Sequence, residues 1–211
     1  MTQLETYEWT RFWCERTEDE SAPRALLIGD SITEGYMHEV NRRLDGRMRA
    51  DSITTSMALD REDFFEGIEW FIKGLKRKYA VVHFNNGLHG FHLSAEAYAQ
   101  RYEEMVLRLL EAFPEAELVL ASSTPVYLPG AERKVDEVKN GQVLERNRAA
   151  ARIAEKYGLR QDDLYGLCAG KDDRRTDDGF HYCEKGRLEQ AEQVARCLEE
   201  CLAERLRPDR A

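Results

Sequence analysis

The sequence holds no apolar run near the roughly 18 residues that a bilayer crossing needs, and it has no excess of basic residues. Its 31 Lys and Arg stand against 40 Asp and Glu, a formal charge of −9 over 211 residues. That balance repels a phosphate backbone or an anionic lipid surface, so neither nucleic acid nor a membrane is an expected partner. The opening stretch, MTQLETYEWTRFWCERTEDE, is acidic and lacks the basic-then-apolar layout of a secretory leader, so export is not expected. The five cysteines (Cys14, Cys168, Cys183, Cys197, Cys201) form no CxxC pair, and their odd number does not suit a closed disulfide set. A reduced, cytoplasmic protein fits. Internal repeats, low-complexity tracts and Ser/Gly-rich linkers are also missing, and the length suits one domain over residues 1–211.

What is present is an alternation of short apolar runs with long helical periods. Strands are expected at Ala25–Ile28, Met48–Ile53, Tyr79–Phe84 and Leu118–Ala121, with a further short segment at Leu159–Leu164. Helices are expected over 32–44, 61–77, 94–113, 135–157 and about 185–206, the fourth closed by Gly158 in the position that favours a left-handed residue. Residues 4–18 read as helical, an extension of about 20 residues ahead of the first strand. Strands separated by helices of this length predict an α/β fold, a parallel sheet covered on both faces. Such sheets place chemistry beyond the carboxyl ends of their strands.

Three groups of polar residues fall at those ends. Gly29-Asp30-Ser31-Ile32-Thr33 follows the first strand and opens a helix. A serine hydroxyl attacks only with a base to take its proton and donors for the oxyanion, and a helix start offers backbone N–H groups for the latter. The same residues also suit a plain capping turn. Near the other terminus, Asp178 and His181 stand three apart across Gly179, a spacing that lets a carboxylate hold an imidazole in one tautomer, or that simply caps the last helix. The third group is His83-Phe84-Asn85-Asn86-Gly87-Leu88-His89-Gly90. Alternation puts His83 and Asn85 on one sheet face and Phe84 and Asn86 on the other. His83, His89 and His92 bring no clustered carboxylate or cysteine, so no metal site is expected.

Taken together, these blocks resemble the SGNH hydrolases, the GDSL esterases and lipases. Gly29-Asp30-Ser31-Ile32 is similar to that family's first block and Asp178-Gly179-Phe180-His181 to its last. The resemblance implies a three-layer α/β/α sandwich around a parallel sheet of about five strands. It implies Ser31 as nucleophile, His181 as general base and Asp178 as its orienting carboxylate, with no cofactor and no metal. The middle blocks differ. Where the family shows Gly-x-Asn-Asp, this chain has Gly87-Leu88-His89-Gly90, like a subgroup with an Asn-x-Gly-Leu-His block, leaving His89 or Asn85 as side-chain oxyanion donor. The second block, Ser52 to Ala58, contains no glycine, and its oxyanion N–H is expected from Ser56, Met57 or Ala58, with Met57 the best match. Ser31 would add its own N–H. The implied activity is hydrolysis of a carboxylic ester carrying a small or carbohydrate-borne acyl group. A weakly active or non-catalytic binding module is the alternative. Tyr127, Leu128 and Phe91 either line the substrate site or pack beneath it.

Overall fold

The run Arg24–Gly29 is buried at every position because it forms the strand at the middle of the sheet, with helices on both sides. The structure, a computed structural model, describes residues 4, 6–75, 77–130, 132 and 134–206. In chain order the elements are β1 (Thr10–Trp13), β2 (Arg24–Gly29), α1 (Ser31–Leu44), β3 (Arg49–Thr55), α2 (Glu62–Leu75), β4 (Val81–Phe84), α3 (Ala95–Ala112), β5 (Glu117–Ala121), α4 (Glu137–Tyr157), β6 (Arg160–Asp162), α5 (Leu164–Cys168) and α6 (Glu184–Arg205). A 3₁₀ turn at Asp172–Arg174 precedes α6. The sheet order is β1-β3-β2-β4-β5-β6. Strands β2 to β6 are parallel, as the strand–helix alternation predicts.

Successive residues of β2 point to opposite layers. Ala25 and Leu27 join Val40, Leu44, Val194 and Leu198 beneath α1 and α6. Leu26 and Ile28 join Phe84, Tyr102, Leu109 and Ile153 on the side of α2, α3 and α4. Both faces are dry, which is why the strand reads as a continuous apolar run rather than an alternating one. Each large side chain so covered contributes about 1.5–3 kcal/mol. Cys197 and Cys201, four apart on α6, are both buried in the first layer. Among the described residues, no helix is long and apolar enough to cross a membrane.

The opening segment departs from expectation. The predicted helix over residues 4–18 is replaced at Thr10–Trp13 by an antiparallel edge strand on β3, which brings the sheet to six strands; residues 1–3 and 5 of the expected extension lie outside the described set. Its side chains alternate with period two. Arg11 pairs with Glu34 and Trp13 stands edge-on to His38, both on α1, while Phe12 stacks on Phe71 of α2. The strand also satisfies the outer edge of β3: Ser56 N–H donates to the Trp9 carbonyl (3.0 Å), and Thr10 and Thr55 hydroxyls meet at 2.8 Å. A helix here would leave that edge without partners.

At the amino ends of the strands a charged network closes the layers. Asp51 is fully buried and accepts from Arg24 Nη1, Arg77 Nη1, the Tyr79 hydroxyl and the Glu15 N–H, each at 2.9 Å. Arg24 also donates to the carbonyls of Glu15, Arg16 and Asp19, tying the crossing from β1 to β2 onto the sheet.

Candidate active site

Strand β2 lies between β3 and β4, so the chain leaves it to one side and later returns on the other. The crevice this opens at the carboxyl end of β2 is where ligands settle in open α/β sheets. Ser31 occupies it as the first residue of α1. Asp30 caps the helix, its carboxylate accepting the Ile32 N–H at 2.9 Å, so the predicted capping turn is also real.

The distant terminus closes on this point. Ser31 Oγ lies 2.8 Å from His181 Nε2, across 150 residues of sequence, and His181 Nδ1 lies 2.6 Å from Asp178 Oδ2. The second oxygen, Asp178 Oδ1, accepts the Phe180 and His181 N–H groups and the Thr176 hydroxyl, all at 2.9 Å. Partial burial raises the Asp178 pKa, but the hydrogen bonds from His181, Phe180 and Thr176 outweigh it and hold the carboxyl well below the usual range. An anion fixed in this way favours the Nδ1–H tautomer of His181 and leaves Nε2 to face the hydroxyl.

The loop takes this shape because Gly179 permits it. Its φ is +86°, and a Cβ added there would lie 2.2 Å from the Tyr127 carbonyl oxygen. Its own carbonyl accepts the Tyr127 N–H (2.9 Å), and Gly130 N–H donates to Asp177 (2.8 Å), seating the loop on the segment after β5. Ser31, Asp178 and His181 then line a surface groove of about 630 Å³ with Ile32, Gly35 and Arg187.

The residues expected around the oxyanion separate. Met57 follows β3; its N–H donates to Thr55 Oγ1 (3.1 Å) and its carbonyl accepts Asn86 Nδ2 (2.9 Å). Ser56 N–H is engaged by Trp9 in the edge-strand pairing. Asn85 turns toward β5, where its amide donates to the Ala121 carbonyl (2.7 Å) and to Ser123 Oγ (3.1 Å). His89 lies on the loop after β4. That loop rests on the one after β3: Gly90, at φ +67°, sits so close to Ala58 that an added Cβ would be 2.7 Å from the alanine methyl. No acidic side chain fits there, which accounts for glycine at the position the family fills with an acid. Of the other strand-end histidines, His83 is buried against Asp162 (3.0 Å) and His92 meets Asp60 (3.0 Å).

Two buried arginines escape a reading of the sequence. Arg146 of α4 donates to the carbonyls of Gly87 (2.9 Å), His89 (2.8 Å) and Gly90 (2.6 Å), and lies over the rings of Phe91 and Tyr98. Burial pushes its pKa down from the usual arginine value. Arg175 does the equivalent beneath the Asp178–His181 loop, over Tyr127. Phe91 and Tyr127 thus pack against the two guanidinium groups, whereas Leu128 is about half exposed. Carbonyl acceptors have no residue code, so spacing alone does not betray either arginine.

The profile of the GDSL-like lipase/acylhydrolase family matches residues 27–187. The chain belongs to that family. As a GDSL-like acylhydrolase it is a hydrolase acting on ester bonds. No curated relative matches the sequence. Among solved structures, an aryl esterase of M. smegmatis is similar with a TM-score of 0.69 at 13% identity, covering 85% of this chain and 99% of that one. An acetylxylan esterase from Geobacillus stearothermophilus gives 0.64 at 16% identity, covering 83% and 94%. A GDSL-like lipase from Bacteroides thetaiotaomicron gives 0.64 at 15%, covering 84% and 88%. At these identities the likeness is one of fold, and it extends over most of the GDSL-like chain.

Proposed function

We propose that the protein is a serine esterase in which Ser31, His181 and Asp178 act as a triad on carboxylic esters of small or carbohydrate-borne acyl groups. The observation that carries this is the unbroken hydrogen-bond series from Ser31 Oγ through His181 to Asp178 at the start of α1. In the reaction His181 Nε2 takes the hydroxyl proton as Ser31 Oγ attacks the ester carbonyl. Asp178 stabilises the imidazolium, which returns the proton to the departing alcohol. Water, deprotonated by the same nitrogen, then frees the acyl group from Ser31.

The tetrahedral oxyanion would meet the Ser31 N–H at the positive end of α1 and the Met57 N–H, which would exchange its 3.1 Å contact with Thr55 Oγ1 for the charge. The side-chain donor is assigned to His89, because the amide of Asn85 is spent on Ala121 of β5 and on Ser123 just beyond it. The block itself, Asn85-Asn86-Gly87-Leu88-His89, supports a place in the subgroup with an Asn-x-Gly-Leu-His pattern. The substrate class draws support from the similar structures named as an aryl esterase and an acetylxylan esterase. A non-catalytic module has no use for such a relay and is not favoured.

The test is turnover of p-nitrophenyl acetate, with covalent labelling by a fluorophosphonate, in wild type and Ser31→Ala. Labelling at Ser31 and loss of both signals in the variant are expected; equal turnover in the two proteins would eliminate the mechanism. A panel of acyl esters, acetylated oligosaccharides included, then reads the acyl and alcohol preference.

A further inference from the structure

Arg175 precedes the Asp178–His181 segment by three residues and is among the bulkiest fully buried side chains, 2% exposed. Its guanidinium donates to the Gly179 carbonyl (3.2 Å), the Pro125 carbonyl and the Tyr182 hydroxyl (2.8 Å). It lies 3.7 Å from the centre of the Tyr127 ring and 4.8 Å from that of Tyr182. Among the described residues no carboxylate pairs with it, and its Nε is buried without an acceptor.

A buried cation in this state is a poor device for stability, since an apolar side chain of similar volume generally packs as well or better. What the guanidinium adds is direction. Its planar fork sets several acceptors in fixed relation, which neither an ammonium nor a thioether can do. Here the acceptors come from three places: the exit of β5 at Pro125, the inside of the loop at Gly179, and the approach to α6 at Tyr182. The Gly179 carbonyl also receives the Tyr127 N–H, so a single peptide is gripped from two sides. The hydrogen bonds of Asp178 to residues 180 and 181 set the internal shape of the loop but not its placement over Ser31. That placement rests on this grip, beside the Gly130 N–H bond to the Asp177 carbonyl (2.8 Å).

We propose that Arg175 is a positioning residue for His181: by holding the Gly179 peptide against the β5 exit it keeps the imidazole between Ser31 and Asp178, while touching no reacting atom itself. The proposal rests on the triad reading for its kinetic consequence. Its structural core, the seating of His181 against Asp178, is measurable without turnover.

The experiment compares wild type, Ser31→Ala, Arg175→Lys, Arg175→Met and Tyr182→Phe. Folding is followed by circular dichroism, kcat and KM by p-nitrophenyl acetate, and the His181–Asp178 contact by the far-downfield proton NMR signal of His181 Nδ1–H, assigned by its loss in His181→Gln. Lysine keeps the charge without the fork, and should fold with kcat down by about 10- to 100-fold and KM little changed, as displacing a catalytic group by about 1 Å does. The downfield signal should broaden or vanish in both Arg175 variants and persist in Ser31→Ala. If both Arg175 variants fail to fold, Tyr182→Phe, which keeps the guanidinium and takes away one of its acceptors, carries the same reading with a smaller fall. Folded variants that keep both the signal and wild-type kcat overturn the proposal, and so does absence of the signal from the wild type. A wild type that shows the signal but is neither labelled at Ser31 nor active defeats the triad mechanism instead, and the seating is then judged on the signal alone.

Discussion

The two ends of the sheet both bury arginine, and they handle it in opposite ways. At the amino end Arg24 and Arg77 converge on Asp51, so charge meets charge inside the protein. At the carboxyl end Arg146 and Arg175 have no carboxylate among the described residues and spend their protons mainly on backbone carbonyls. The first arrangement fastens a crossing segment to the sheet. The second holds two loops in set orientations without placing a further anion beside His181, where it would compete with Asp178. A fold that must be rigid at one end and correctly aimed at the other is served by both. The comparison makes a simple demand: substitutions at the Asp51 end should change stability and spare chemistry, and those at the Ser31 end should change chemistry, with a smaller loss of stability.

The largest effect is expected from Asp178→Asn. The amide keeps the shape of the loop but favours the wrong imidazole tautomer, so kcat should fall by about 10⁴-fold, as in other triads, with a small change in melting temperature. A variant that retains most of its turnover would break the proposed division at the catalytic end. Next comes Asp51→Ala, which removes the acceptor shared by the buried Arg24 guanidinium, the partly buried one of Arg77 and the Tyr79 hydroxyl. It should cost about 3–5 kcal/mol in urea denaturation, with kcat per folded molecule unchanged. A fall in kcat without loss of stability would show that the two ends are coupled through the strands. Smaller again is Arg146→Lys. Losing the fork under the carbonyls of residues 87, 89 and 90 should lower kcat on the order of tenfold by loosening the loop that carries His89, and destabilise by about 1–3 kcal/mol for the carbonyls left unpaired.

The sequence revealed these ends unequally. Ser31, Asp178 and His181 were legible because a strand end, a helix start and a glycine turn each leave a local signature, and the resemblance joined them. The parallel layers were legible because both cores repeat with helical period around short apolar runs. Strand β1 was not: Trp9, Phe12 and Trp13 also suit a helix face, and only β3, forty residues on, supplies the edge that makes Thr10–Trp13 a strand. The hydrogen bonds of Asn85, one of the two candidate donors, were not legible for a related reason. Its register against Ala121 and Ser123 is a property of the sheet, not of the stretch that contains it. The same holds for Arg146 and Arg175, whose acceptors are carbonyls.

The smallest effect sharpens the comparison by pH. The folded-state pKa of Asp178 lies below its unfolded value, near 3.9. Unfolding therefore takes up a proton over the acid range, and the ionised carboxylate contributes stability that is fully present above about pH 4 to 5 and is lost as the pH falls through the folded value. Asp178→Asn removes this contribution. The melting-temperature gap between wild type and the variant should be widest near neutrality and should shrink steadily between pH 5 and pH 3. Because the side chain is half exposed, the gap should be modest and should narrow with added salt. A gap that stays constant down to pH 3, or widens, would mean that the hydrogen bonds to Oδ1 and Oδ2 do not favour the ionised form, and that Asp178 orients His181 by shape alone.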